Sequence, residues 1–262
     1  TMEVAEANIK LIETYNFKIE DVFTSEPDST IQPKFEFRDE KLVSNLFDLS
    51  TDSEALKQIC FKGVDYPFRK DIDASDETRI QDAEYWLEKG NNKSATGEEK
   101  VIISAITKEI TKGWGIVVPK SQCLSIEGIG IVPITVASKF TKVDDDDNIL
   151  SKKRLAHDCT NPGLSGQSVN NMVDDDTLEE CRFGNVLLQT LYEIHMLRRK
   201  HGPIPILLSK YDLDAAYRRL SVLLRYALLC GVAFNDLVYL CFRLPFGSKP
   251  APALFSLLSE FV

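Results

Sequence analysis

Three short stretches combine residue types and spacings that can do chemistry. In the first, an apolar run from Ile204 to Leu208 reads as a buried strand that leads into Lys210-Tyr211-Asp212-Leu213-Asp214-Ala215-Ala216-Tyr217 and delivers Asp212 just before a helix. A carboxylate at that place can face a crevice and hold a divalent ion. Taken alone it reads first as a structural residue and only second as a metal ligand, and Asp214 can instead cap the helix that follows. The second stretch is Leu244-Pro245-Phe246-Gly247-Ser248-Lys249-Pro250-Ala251-Pro252-Ala253-Leu254-Phe255. Its prolines make a rigid loop, Pro252 suits a first helical turn, and Gly247 lets another group approach the backbone. A strand-to-helix connection without a ligand has the same look. The third is Lys152-Lys153-Arg154-Leu155-Ala156-His157-Asp158. Successive cations on a strand point to opposite faces, so one can clamp a phosphate while its neighbour stays in solvent.

The elements that must position these groups lie in the second part of the chain. Residues 98 to 112 predict a helix with Val101, Ala105, Ile106 and Ile110 on one side, ending at Gly113. Gly115 to Pro119 and Ile129 to Val136 predict strands. The run Asp144 to Asp147, between Phe140-Thr141-Lys142-Val143 and Ile149 to Leu155, reads as a solvated hairpin tip rather than a cation site. After a Gly/Ser/Asn-rich loop from Asn161 to Asn171, helices are predicted for about 183–200, 214–229 and 251–262, with a strand at 236–243. The order is that of an α+β protein. Upstream, residues 75 to 90 predict a helix capped by Ser75 or Asp76 and stopped by Gly90, and Asn91 to Gly97 reads as a linker. The chain therefore divides into an acidic, mainly helical segment, 1–97, and a second unit, 98–262.

Charge follows that division. Residues 1–150 carry 18 Lys and Arg against 29 Asp and Glu, and residues 151–262 carry 13 against 11, within a net charge of −9 over 262 residues. This balance excludes a general nucleic-acid coat, whose affinity rests on many phosphate contacts, but leaves room for a local basic cleft. Arg198-Arg199-Lys200 is one cluster that can touch nucleic acid, although cations in a last helical turn are also favoured by the helix dipole. The six cysteines are scattered with no C-x-x-C, and His157 with Cys159 lacks the second pair a zinc knuckle needs. Without a signal-like leader or an uncharged apolar span, the sequence predicts a soluble intracellular protein, cytoplasmic or nuclear, with no membrane partner and no disulfides. No G-x-S-x-G elbow and no G-x-x-x-x-G-K-[ST] loop occurs, and His157, His195 and His201 read as core or surface histidines.

Taken in order, the three stretches resemble the reverse transcriptase family of retroelement polymerases. Lys152 to Asp158 followed by Ser165-Gly166-Gln167-Ser168-Val169-Asn170 is similar to the fingers hairpin and its continuation. Lys210 to Arg218 is similar to the first catalytic palm motif, and Leu244 to Phe255 to the second, in the Pro-Phe-Gly form of retrotransposon enzymes. The resemblance runs from about Ile106 to Val262 and leaves the first hundred residues unexplained. It implies fingers and an incomplete palm, RNA- or DNA-templated DNA synthesis from dNTPs onto a primer, Mg²⁺ with Mn²⁺ as the alternative ion, and no organic cofactor. By resemblance Asp212 is a catalytic metal ligand, the Leu213 carbonyl a further ligand, Arg154 a triphosphate contact, and Lys153 or Lys152 its helper. Tyr217 falls at the sugar-sensing position, and Phe246 with Gly247 forms the floor under the nucleotide. Nucleotidyl transfer by two ions about 4 Å apart needs several converging carboxylates. The family's others lie in a Tyr-x-Asp-Asp hairpin that these 262 residues do not contain. The resemblance thus predicts a truncated polymerase, inactive by itself. The alternative is a decayed or repurposed relic that binds nucleic acid or protein without catalysis.

Overall fold

Among the described residues five strands form two small antiparallel sheets, and the period-2 pattern of the central strands explains how the chain is layered around them. A computed structural model describes residues 1–33, 40–69, 75–143, 149–178, 181, 186–209 and 213–261. In the larger sheet β1 (Gly115–Pro119) lies beside β5 (Leu237–Cys241), which pairs in turn with β4 (Val232–Phe234). The register runs from Gly115 opposite Cys241 to Pro119 opposite Leu237. All five β1 residues are buried, so both faces of the sheet are covered. Ile116, Val118, Val238 and Leu240 enter one apolar cluster, and Val117, Val232, Tyr239 and Cys241 enter the other. Alternate side chains of one strand thereby feed two cores.

Helices of the first hundred residues cover the first face. In α1 (Met2–Thr14) Ala5, Asn8, Ile9 and Ile12 are buried at helical spacing, and the Asn8 amide donates to the Val117 carbonyl at 2.8 Å. Ile19 and Val22 of α2 (Ile19–Ser25), Phe47 at the end of α3 (Glu40–Phe47) and Leu56 of α4 (Ser53–Lys57) join the same cluster. Ala83 and Trp86 of α5 (Asp76–Lys89) complete it, with the Ser75 hydroxyl accepting from the Thr78 amide at 3.3 Å as the expected N-cap. The opposite face is covered by α6 (Glu99–Thr111), through Ile102 and Ile106, and by the hairpin of β2 (Ile134–Val143) and β3 (Ile149–His157). No described helix is long and apolar enough to cross a membrane.

The helix at 75–90, the helix at 98–112, the strand at 115–119 and the 134–157 hairpin form where the sequence predicts them. The acidic run Asp144 to Asp147 lies outside the described residues, as do Lys210, Tyr211 and Asp212. Four expectations change. Residues 129–133 contribute only a bridge from Ile131 to Gly231, and β2 begins after Pro133, which has no amide to donate. The 91–97 linker is instead pinned to the body: the Asn91 amide donates to the Ala233 carbonyl at 2.8 Å, and Asn92 donates to Thr135 and Asp158, each at 2.7 Å. Ile204 to Leu208 is not a strand; Pro203 and Pro205 interrupt its donors, and Leu207 is 93% exposed. The helix expected over 214–229 breaks into a 3₁₀ turn, Ala216–Arg219, an extended piece, and α8 (Leu224–Leu229).

That break has a local cause and a tertiary one. Ala215 adopts a left-handed conformation, φ +56°, which ends any regular helix there. Beyond it, Leu220 and Val222 are buried and the segment's amides pair across the chain instead of along a helix. Val222 N–H donates to the Phe242 carbonyl at 3.0 Å, Leu223 N–H to Val64 at 3.0 Å, and Leu244 N–H to Leu220 at 2.9 Å. Tyr217 is therefore carried on a tight 3₁₀ turn and not on a helix one turn beyond Asp212. After β5, the Pro-Phe-Gly loop leads into α9 (Ala251–Phe261), whose buried Ala251, Phe255 and Leu258 return to the first core. The remaining helix, α7 (Val186–His201), stands apart in character, with Leu187, Leu188, Leu191 and Tyr192 all more than half exposed.

Candidate functional site

The end of β3 and the Pro-Phe-Gly loop are joined through the main chain. His157 N–H donates to the Phe246 carbonyl at 2.8 Å. Gly247 has φ +104°, and a Cβ placed on it would lie 1.9 Å from the His157 carbonyl oxygen, so only glycine fits between loop and strand. Asn170, from the long loop after β3, braces the other side. Its amide nitrogen donates to the Gly247 carbonyl and its oxygen accepts from the Lys249 N–H, both at 2.8 Å. The Ser248 hydroxyl lies 2.7 Å from that of Tyr66, which is itself buried and stacked on Tyr226 at 5.0 Å between ring centroids. Three segments distant in sequence, one of them backed by Tyr226, thus hold the loop from Pro245 to Pro250.

Tyr217 meets this loop from the other side. Its ring centroid is 5.0 Å from that of Phe246 and 5.6 Å from that of Phe255. Burial raises its phenol above the ordinary tyrosine range, with the Cys181 thiol adding to the effect. The structure therefore brings together Tyr217, Phe246 and Gly247, three of the residues singled out in the sequence. Leu213 is about half exposed at the near end of the same segment.

The cations of β3 separate as strand alternation requires. Lys153 forms an ion pair with Glu98 at the start of α6, on the side where Leu155 and His157 are buried. Arg154, opposite Ala137 in the register, is exposed on the other face. Arg154 lies three residues, roughly 10 Å along the strand, from the His157 amide. The Lys152 side chain lies outside the described ones, and Asp212 outside the described residues altogether. Arg198, Arg199 and Lys200 are exposed in the last turn of α7.

Beside the Pro-Phe-Gly loop lies a largely buried polar network that the motifs alone do not reveal. Arg218, 2% exposed, places its Nε 3.1 Å from a Glu109 oxygen, one terminal nitrogen 2.9 Å from Cys241 Sγ, and the other 3.2 Å from Nε2 of His157. Tyr239 donates to the second Glu109 oxygen at 2.8 Å. His157 is fully buried, and its Nδ1 lies 2.9 Å from the Cys230 carbonyl. Burial, and secondarily the Arg218 charge, lower its pKa to about 3. The core reading of this histidine holds. A polar side chain at an inward position of an otherwise apolar strand end was the only sequence signal for its partners. Cys159 and Cys230 place their sulfurs 3.8 Å apart in the same region, both reduced. Burial drives the Cys241 thiol up to about 11, against the opposing pull of Arg218, which leaves it a protonated donor rather than a nucleophile.

A separate cleft of about 920 Å³ opens between α2, α5, α8 and the 161–172 loop, with Phe68, Trp86 and Tyr226 in its walls. Its charges are matched locally: Arg225 with Asp65 and Arg79 with Asp76, each at 2.7 Å. Asp82 accepts from the amide of Ser165 at 2.8 Å and from its hydroxyl at 2.5 Å. Among the described residues no group of three or more His, Cys, Asp or Glu is arranged to hold a metal ion. Compared with models of known families, with curated proteins and with solved structures, the chain matches none.

Proposed function

We propose that the chain carries the fingers and part of the palm of a retroelement-type RNA-directed DNA polymerase, transferring nucleotides from dNTPs to a primer on an RNA or DNA template. The observation that carries this reading is the contact of Tyr217 with Phe246 above Gly247. Two motifs chosen from the sequence for one nucleotide site, 29 residues apart in the chain, meet at one place. In this reading Phe246 and Gly247 support the base and sugar, Tyr217 excludes a 2′-hydroxyl by bulk, and Arg154, exposed on the same strand that leads to the loop, contacts the triphosphate. A charge-assisted contact of that kind contributes roughly 1.5–3 kcal/mol.

The reading calls for Mg²⁺, or Mn²⁺ in its place, at Asp212 and the Leu213 carbonyl. The described residues do not furnish a complete donor set, so the ion's ligands would include Asp212 and carboxylates outside them. The test is primer extension on an RNA template with Mg²⁺, by the chain joined to a retroelement palm segment that carries the Tyr-x-Asp-Asp hairpin and by the Asp212→Asn version of it. Extension by the first and not the second supports the polymerase; extension by neither removes it.

A second reading, a relic that binds nucleic acid or protein without catalysis, is favoured by α7, whose exposed apolar residues end in Arg198, Arg199, Lys200 and His201. Binding that weakens with salt and depends on these cations, with no effect of Asp212→Asn, would select it.

A further inference from the structure

His157 closes a circuit of contacts around the floor. Its amide holds the Phe246 carbonyl, and its own carbonyl abuts Gly247. Its imidazole reaches Arg218, the residue after Tyr217, and the ring of Tyr217 returns to Phe246. Arginine has only donors, so the Nε2 that faces Arg218 must be the acceptor. The proton then resides on Nδ1 and is donated to the Cys230 carbonyl at 2.9 Å. One neutral tautomer satisfies both neighbours, and the other would satisfy neither. A buried Arg218 fixed by Glu109, Cys241 and His157 leaves the 3₁₀ turn that bears Tyr217 little freedom.

We propose that His157 is a positioning residue for sugar selection: by accepting from Arg218 while carrying Phe246 on its main chain, it sets the spacing between the Tyr217 and Phe246 rings. This rests on the polymerase reading. An apolar residue would fill the same volume at a smaller desolvation cost, and the two directed hydrogen bonds are what it would not supply. Nothing in the geometry puts His157 itself against a nucleotide.

Two conservative variants separate this role from a purely structural one. In His157→Gln the side-chain oxygen can still accept from Arg218, whereas in His157→Asn the amide can still donate to Cys230 but stops short of the guanidinium. Each keeps one of the two bonds. The probes are Mg·dGTP and Mg·GTP, titrated against the 262-residue chain and followed by tryptophan fluorescence, with thermal midpoints measured alongside. The wild type is expected to prefer the deoxy form by about tenfold or more, His157→Gln to keep that preference, and His157→Asn to reduce it to about threefold or less at a similar midpoint. Equal preference in the two folded variants overturns the positioning role while leaving the nucleotide site in place. No binding of either triphosphate by the wild type at millimolar concentration overturns the positioning role, whereas the polymerase reading stands or falls with the primer-extension test above. An independent check needs no variant: the imidazole nitrogen shifts of the wild type are expected to show the Nδ1–H tautomer, and an Nε2–H tautomer overturns the proposal.

Discussion

The junction at His157 and the helix α7 hold their polar groups in opposite ways. At the junction a guanidinium, an imidazole, two phenols and a thiol are buried beside the partly buried Glu109 carboxylate; directed hydrogen bonds link most of them, and Arg218 Nε meets Glu109 as an ion pair without hydrogen-bond geometry. On α7 three cations, Arg198, Arg199 and Lys200, occupy the last turn and large apolar side chains face solvent. Residue types weighted both for function, through Arg154 and the Pro-Phe-Gly loop in one case and the basic cluster in the other. The difference teaches that a shared place in the fold, and not residue type, distinguishes them: the loop of Phe246 and Gly247 is held by three distant segments and meets Tyr217, while Arg198 to Lys200 are held by their own helix.

The junction is where substitution should cost most. Arg218→Ala leaves the partly buried Glu109 without its cation and His157 without a donor; breaking a fully buried pair costs about 3–5 kcal/mol, and the 15% exposure of Glu109 puts this one at the lower end. Urea unfolding of the purified variant measures this; a loss below about 1 kcal/mol would mean that the network is not closed as described. Acid probes the same place. Unfolded His157 takes up a proton as pH falls through its ordinary 6.5, while the folded imidazole resists until about 3. Stability is therefore full above pH 6.5, declines as pH falls, and has lost about 5 kcal/mol from this residue once the folded pKa is passed. Stability curves at pH 7, 5 and 4 should show that decline, and His157→Asn should flatten it.

A smaller effect is expected at Gly247. Alanine there must adopt φ +104° and push its methyl group into the His157 carbonyl, a strain of about 1–3 kcal/mol unless the loop withdraws from the strand. Amide exchange separates the two outcomes. Faster exchange of the His157 amide reports that the loop has moved, and unchanged exchange with unchanged stability would contradict the close approach.

How much of this was legible in sequence depends on the kind of signal. Gly115 to Pro119 and the β2–β3 hairpin were readable because β-branched runs bounded by glycine, proline and an acidic turn have few other solutions. The α5 cap was readable because Ser75 and Gly90 act locally. The 214–229 region was not, because its apolar residues satisfy a helical period and an extended one alike, and the decision came from Val64 and Phe242 offering carbonyls across the chain. Within the site, Phe246 and Gly247 were visible as loop chemistry. Arg218 was hidden beside Tyr217, and Glu109 lay on a helix whose pattern gave no sign that a carboxylate would turn inward to meet it.

The smallest effect belongs to α7 and sharpens the contrast most cleanly. Changing Leu188 to Ser removes apolar surface that is 67% exposed, so the fold should lose no more than about 0.5 kcal/mol. A larger loss would show that the helix packs on the body in solution, and the contrast with the junction would fail. Replacing Arg198, Arg199 and Lys200 by Gln should likewise leave unfolding unchanged, while any affinity for single-stranded RNA should fall and its logarithmic salt dependence should flatten by about 2, near 0.7 for each phosphate that is no longer neutralised. Equal salt slopes for wild type and triple variant would reduce the cluster to its local role at a helix C-terminus, where the dipole alone accounts for three cations in a row.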